Sequence, residues 1–319
     1  MIERIPITDR DSWLAMRKRD LTASVVGSLF NCHPYASLLS VYLEKTGDEP
    51  AAPQSAMLEW RLILESAVAA AVELQRPDWK IVKATEYLRD PVARIGATPD
   101  FYIHGDPRGL GILQAKTVAP SAFRKSWQDD QPPFWIALQN ATELMLETRA
   151  TFGAVAALVI DPFKLQCPIY EIPRHAGVEA RIREAVADFW KSVDWGEIPQ
   201  PDFSRDADLI AALHPVPISS KRIDLTFDNM LPGLLAERAA LKARAGIDLA
   251  RAGIDLARID EIETEIKSKM EDAEIATIDG FAISFKEQIR KGHFVSGSTS
   301  RVLRITDHRA KEEVNNGPF

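Results

Sequence analysis

The chain has 319 residues, 46% hydrophobic and 27% charged, with a formal net charge of −7. That is the composition of a soluble globular protein with a sizeable core, and the acidic balance argues against one that simply coats nucleic acid. No run approaches the ~20 apolar residues of a membrane span, and MIERIPITDRDSW lacks the apolar segment of a signal peptide, so a cytoplasmic protein away from membranes is expected. A helix is predicted through DSWLAMRKR with Asp11 or Ser12 as its cap, and a second through SLLSVYLEKTG, stopped by Gly47. SAMLEWRLILESAVAAAVELQ reads as one long helix, with apolar residues such as Leu64, Val68 and Val72 near helical spacing. Short β-type runs follow at KIVKATEYLRD, RIGATPDFYI and GLGILQAKTV, separated by turn-formers including Gly105-Asp106-Pro107. After Pro132-Pro133 come a helix through FWIALQNATELMLETR, strands at AVAALVI and QCPIYEIP, and a helix through GVEARIREAVADFWKSV. Strands interleaved with helices indicate a mixed α/β domain over residues 1–200.

Residues 201–227 are proline-rich and read as a linker to an extension at 228–319. A helical stretch is expected from Asp228 to Ala276, where RAGIDLA at 244–250 is repeated at 251–257. Leu249, Ala252, Leu256, Ile259, Ile262, Ile266 and Met270 form a stripe that signals a helical hairpin or coiled coil. The tail from Thr277 has the pattern of a small β element. Its basic residues Lys286, Arg290, Lys291, His293, Arg301 and Arg304 read either as a DNA-contacting surface or as ordinary solubilising charge. Cys32 and Cys167 form no CxxC pair and the histidines no cluster, which points to a reducing compartment and away from zinc.

The chemistry gathers in GATPDFYI…GILQAKT. Asp100 ends one β-type run, Lys116 lies within the next, and GDPRGLG between them has the composition of a hairpin turn. A hairpin sets the two strands side by side, and the two-residue period puts Gln114 and Lys116 on one face. An acid, a second oxygen donor and a lysine on adjacent strands suit phosphodiester hydrolysis assisted by a hard cation such as Mg²⁺. The lysine orients or deprotonates the attacking water.

Pro99-Asp100…Gln114-Ala115-Lys116 resembles the PD-(D/E)xK nuclease superfamily, and its surroundings resemble the YqaJ-like phage recombinase branch that includes the lambda-type exonucleases. Trp13, Arg17 and Thr22-Ala23-Ser24 look like that branch's opening segment; His33–Ser37 with Lys45-Thr46-Gly47 is similar to its following loop. Met57…Glu65 resembles its metal-ligand helix, and Trp127, Pro132-Pro133 and Gln139 its later segment. The resemblance implies a restriction-endonuclease-like core with a central mixed sheet flanked by helices. It further implies Glu65 and Asp100 as carboxylate ligands of Mg²⁺, for which Mn²⁺ substitutes, with Gln114 and the Ala115 carbonyl completing the set and Lys116 orienting water. Arg17, Ser24, Thr98 and Gln139 match positions that hold a DNA 5′-phosphate. The implied activity is 5′→3′ digestion of double-stranded DNA ends by a homo-oligomer, leaving 3′ single strands for an annealing partner in phage-type recombination. One residue departs from the motif: Gln114 stands where the family's second acid is expected and brings no charge. The alternatives are therefore a DNA-end-binding scaffold that has lost catalysis and a coiled-coil interaction protein with a vestigial nuclease core.

Overall fold

The computed structural model describes residues 1–48, 57–127, 130–161, 164–245, 252–278, 280–290 and 298–307. They fall into two units, Met1–Gln200 and Pro201–Phe319.

In the first unit β1 (Glu3–Pro6) precedes α1 (Arg10–Arg19), β2 (Leu21–Thr22), α2 (Val26–Leu29) and α3 (Leu38–Thr46). The Asp9 carboxylate caps α1 by accepting the Ser12 N–H at 2.8 Å, so the cap lies ahead of Asp11 and Ser12, where it was expected. Gly47 ends α3 at φ +85°, a left-handed stop that glycine adopts without Cβ strain. There follow α4 (Met57–Gln75), β3 (Lys80–Lys83), β4 (Glu86–Asp90), β5 (Ile95–Ala97), β6 (Phe101–His104) and β7 (Leu110–Val118). Next come α5 (Pro120–Ser126), α6 (Phe134–Leu146), β8 (Ala150–Ile160), β9 (Leu165–Gln166), β10 (Ile169–Pro173) and α7 (Ala176–Trp195).

A small sheet runs β1-β4-β5-β2, and the main sheet runs β10-β8-β7-β6-β3 with β9 paired to β8. The main sheet is mixed: β7 and β8 are parallel, while β3–β6, β6–β7 and β8–β10 are antiparallel. Helices cover both of its faces, as expected for a restriction-endonuclease-like core. Val68 and Val72 of α4 join a buried cluster with Leu113 and Ala115 of β7; Ile112, one strand position over, clusters with Leu144 of α6. The period of two along β7 thus sends 113 and 115 toward α4, and 112, 114 and 116 toward α6.

In the second unit α8 (Ala207–Leu213) and β11 (Ile218–Asp224) occupy the segment read as a linker. β11 pairs in parallel with β12 (Ala273–Ile278), so this proline-rich stretch supplies a strand. Between them lie α9 (Leu231–Ala245) and α10 (Ala252–Met270), followed after β12 by β13 (Phe281–Arg290) and β14 (Ser298–Asp307). α9 and α10 form the expected hairpin, laced by Arg238–Glu263, Arg258–Glu237 and Arg244–Asp255 ion pairs. Ile259, Ile262, Ile266 and Met270 are buried against Leu231, Leu234, Leu235 and the sheet residues Ile283 and Phe285. Leu256 departs from the stripe and is 53% exposed; Leu249 lies outside the described residues, as do Lys291 and His293. The expected helix to Ala276 stops at Met270, where Glu271 turns to φ +47° and the chain enters β12. Arg301 is spent internally, donating to the carbonyls of His214, Glu271, Ala273 and Phe285 rather than forming a basic surface. Among the described residues no helix is long and apolar enough to cross a membrane.

Candidate metal and DNA-end site

The β6–β7 hairpin is built on Gly105 and Gly109, both at positive φ, and a Cβ at Gly105 would stand 2.2 Å from the Asp78 carbonyl oxygen. Phe101 pairs with Leu113, which sets Asp100 opposite Gln114. Asp100 Oδ2 accepts the Ala115 backbone N–H at 2.8 Å and the Gln114 side-chain N–H. Burial pushes the Asp100 carboxyl up to about 6; Lys116 pulls the other way, and Glu65 adds to the rise. A carboxyl raised in this way, with an acid and a lysine close enough to act on it, marks a candidate functional site.

On the α6 side a relay of amides runs from the strand into the helix. Gln114 Oε1 accepts Gln139 Nε2 at 2.9 Å, and Gln139 Oε1 accepts Lys116 Nζ at 3.0 Å. The Lys116 ammonium also stands 5.5 Å from the Trp135 ring centroid. Gln139 Nε2 donates a second time, at 3.0 Å, to Glu143 Oε1 one helical turn on. Sequence reasoning passed over Glu143; its signal was the lone charged residue of α6, four positions after Gln139. Glu65 of α4, close enough to raise the Asp100 carboxyl, is ion-paired to Lys83 at 2.7 Å, and Lys83 lies 4.5 Å from the Phe101 ring.

The oxygen-rich donor set suits a hard cation: Asp100 and Glu65 bring charge, and the Ala115 carbonyl is a neutral oxygen. Gln114 fits less well than expected. It turns its nitrogen toward Asp100 and its oxygen toward Gln139, so ligation through that oxygen requires the amide to turn over. Among the described residues no three His, Cys, Asp or Glu side chains are gathered closely enough to hold a metal alone.

The residues expected at a terminal phosphate divide between two places. Arg17 donates to Ser24 Oγ at 3.1 Å and lies 4.6 Å over the Trp13 ring, while Trp13 Nε1 donates to Thr98 Oγ1 at 3.0 Å. Trp13 thereby ties Arg17, Ser24 and Thr98 into one cluster. Gln139 belongs instead to the Lys116 relay. Lys45, with a fully buried side chain, donates to the Arg17 carbonyl at 2.9 Å. Burial holds both Arg17 and Lys45 below their ordinary values, against the pull of Glu44, whose carboxylate accepts from Lys45 Nζ at 2.6 Å.

No curated protein matches the chain. Among solved structures it is similar to an alkaline exonuclease from Laribacter hongkongensis, at 17% identity and a TM-score of 0.47 over 59% of this chain and 94% of that one. The same exonuclease in complex with dAMP matches at 18% identity, again with a TM-score of 0.47 and the same coverage. Residues 12–145 match the family model for the YqaJ-like viral recombinase domain, a span that holds most of α1, the small-sheet strands β2, β4 and β5, the β6–β7 hairpin and most of α6. Asp100, Gln114, Lys116 and Gln139 come together inside that matched span.

Proposed function

We propose that the chain is a Mg²⁺-dependent deoxyribonuclease that digests linear double-stranded DNA from its ends, 5′→3′. The observation that carries this reading is the half-buried Asp100, bonded to β7 and within one amide relay of Lys116. The domain match over residues 12–145 supports DNA as the substrate.

Asp100, Glu65 and the Ala115 carbonyl would hold the cation, with Mn²⁺ able to replace Mg²⁺. When bound, the cation acidifies a water and offsets charge developing on the scissile phosphate. Gln114 holds Asp100 in place through its N–H. Lys116, steadied by the Gln139 oxygen and by Trp135, orients the attacking water and screens the phosphate. Water adds to phosphorus, the bond to the 3′ oxygen breaks, and a 5′-mononucleotide leaves. Arg17, Ser24 and Thr98 offer a guanidinium and two hydroxyls to the terminal 5′-phosphate, with Lys45 buried behind them. The product, a duplex with 3′ single strands, is the substrate of a single-strand annealing partner, and a homo-oligomer would keep the enzyme on its track. Residues 1–200 form the nuclease domain in this reading, in the cytoplasm of a bacterial cell carrying a phage or prophage.

The test is digestion of a 5′-phosphorylated linear duplex beside a covalently closed circle, with Mg²⁺ or EDTA. Mononucleotides from the linear DNA alone, only with Mg²⁺, are expected. End binding without digestion in Mg²⁺ overturns the nuclease and leaves a scaffold.

A further inference from the structure

Glu143 poses an electrostatic problem that the proposed chemistry does not use. It has no exposed surface, it lies in the α6 run with Leu138, Leu144, Met145 and Leu146, all buried, and nothing in that packing requires a carboxylate. Its Oε1 accepts the Gln139 amide at 3.0 Å. Its Oε2 is equally buried and has no hydrogen-bond partner among the described residues. A carboxylate oxygen shut away from water without a donor is strongly destabilising unless a proton or a cation neutralises it. The charged groups acting on Glu143 are Asp100 and Lys116, those of the candidate site itself. One amide, that of Gln139, separates Glu143 from both Lys116 and Gln114. Gln114 in turn occupies the strand position where a second acid would sit, and carries no charge.

We infer that Glu143 supplies the second negative charge of the cation pocket, entering from α6 in place of the acid missing at Gln114, and acts through Gln139 as a positioning residue. This rests on the nuclease reading above. The Gln139 amide has one oxygen and one nitrogen to place. Glu143 can accept only from the nitrogen, so it fixes the oxygen on Lys116. Its charge remains close to Gln114 and Asp100 in a region of low dielectric, where it favours a divalent cation. The relay thus joins an anion on the helix to a neutral amide on the strand.

The experiment is calorimetric titration of Mg²⁺ and Mn²⁺ into the full-length chain without DNA, for wild type, Glu143→Gln, Gln114→Glu, Asp100→Asn and the Glu143→Gln/Gln114→Glu double variant. Glu143→Gln should bind Mg²⁺ about tenfold or more weakly, since one charge is lost at constant shape. The double variant should recover most of that affinity, because the charge returns one amide away. In cleavage assays Glu143→Gln should lower kcat at limiting Mg²⁺, regain it at high Mg²⁺, and leave KM for DNA ends unchanged. In EDTA its melting temperature should equal or exceed that of wild type, as a buried charge has been removed. Wild-type Mg²⁺ affinity in Glu143→Gln, or a loss that Gln114→Glu fails to relieve, overturns the inference. Loss of metal by Asp100→Asn alongside normal binding by Glu143→Gln sinks this inference only. Wild-type protein that binds no cation sinks the nuclease reading with it.

Discussion

Ala115 donates its backbone N–H to Asp100 Oδ2 at 2.8 Å, so the candidate ligand is fixed by the strand as well as by a side chain. That donor survives any substitution at Ala115 except proline and keeps the residue at 100 oriented. Asp100→Asn should therefore fold normally and retain the Ala115 contact through its amide oxygen. Removing the anionic ligand should cut cleavage by about a thousandfold or more, since each factor of ten corresponds to about 1.4 kcal/mol of lost transition-state stabilisation. Digestion rates beside a melting curve check this. Wild-type rates in Asp100→Asn would refute the assignment of the metal site.

Gln114→Glu tests the strand's missing charge directly. In the metal-free protein the new carboxylate replaces the N–H that now faces Asp100, setting two acids together. Like charges at such range favour the state in which something neutralises them. The variant should melt lower than wild type in EDTA, gain more melting temperature from Mg²⁺, and reach half-maximal cleavage at a lower Mg²⁺ concentration. A metal response identical to that of wild type would show that the side chain at 114 does not sense the cation.

Glu147, at the end of α6, gives a pH dependence away from the site. Burial alone would raise its carboxyl, but hydrogen bonds from Arg149, Arg4 and Tyr102 outweigh burial and bring it down to about 2. A carboxylate depressed in the folded state adds stability above its unfolded value of 4.5, and that contribution fades as pH falls toward about 2. Glu147→Gln should cost about 2 kcal/mol at pH 7, allowing for screening at the exposed Arg149, and progressively less below pH 4. Urea midpoints at pH 7 and pH 3 measure the difference. An equal loss at both would assign Glu147 a packing role instead of an ionic one.

Much of this arrangement was legible in the sequence because its signals are local. The alternation around Asp100 and Lys116, with glycines between, defines a hairpin on steric grounds alone, and Gly47 ends α3 for the same reason. What escaped was set by tertiary pairing. β11 is a strand only because β12 lies beside it; alone, its neighbouring prolines read as a linker. β12 itself continues the isoleucine and alanine spacing of α10, so periodicity could not find the break at Glu271. The Gln114 amide direction and the orphaned Glu143 oxygen belong to the contact between strand and helix, which no one-dimensional spacing encodes. Gln139 was expected at the 5′-phosphate from the position it matches in the family resemblance; in the fold its amide oxygen accepts from Lys116.

Arg17 carries the end-directed part of the proposal. Its guanidinium is bonded to Ser24 and lies over Trp13, while Lys45, ion-paired to Glu44 at 2.6 Å, donates to the Arg17 carbonyl. A terminal 5′-phosphate would give the Arg17 guanidinium a charged acceptor beside Ser24, and a charge-assisted bond to it contributes about 1.5–3 kcal/mol. Arg17→Ala should then slow digestion of a 5′-phosphorylated duplex about 10- to 100-fold while barely changing the rate on the same duplex with a 5′-hydroxyl. Arg17→Lys should recover little, because a lysine offers a point charge where the planar fork reaches Ser24 and the phosphate together. If Arg17 instead attracts the DNA backbone in general, both substrates lose equally and the loss shrinks as salt is lowered. The two duplexes differ by one phosphate, so the ratio of their rates isolates that contact from folding and from metal binding. A ratio unchanged from wild type would remove terminal phosphate recognition, and with it the polarity proposed for the enzyme.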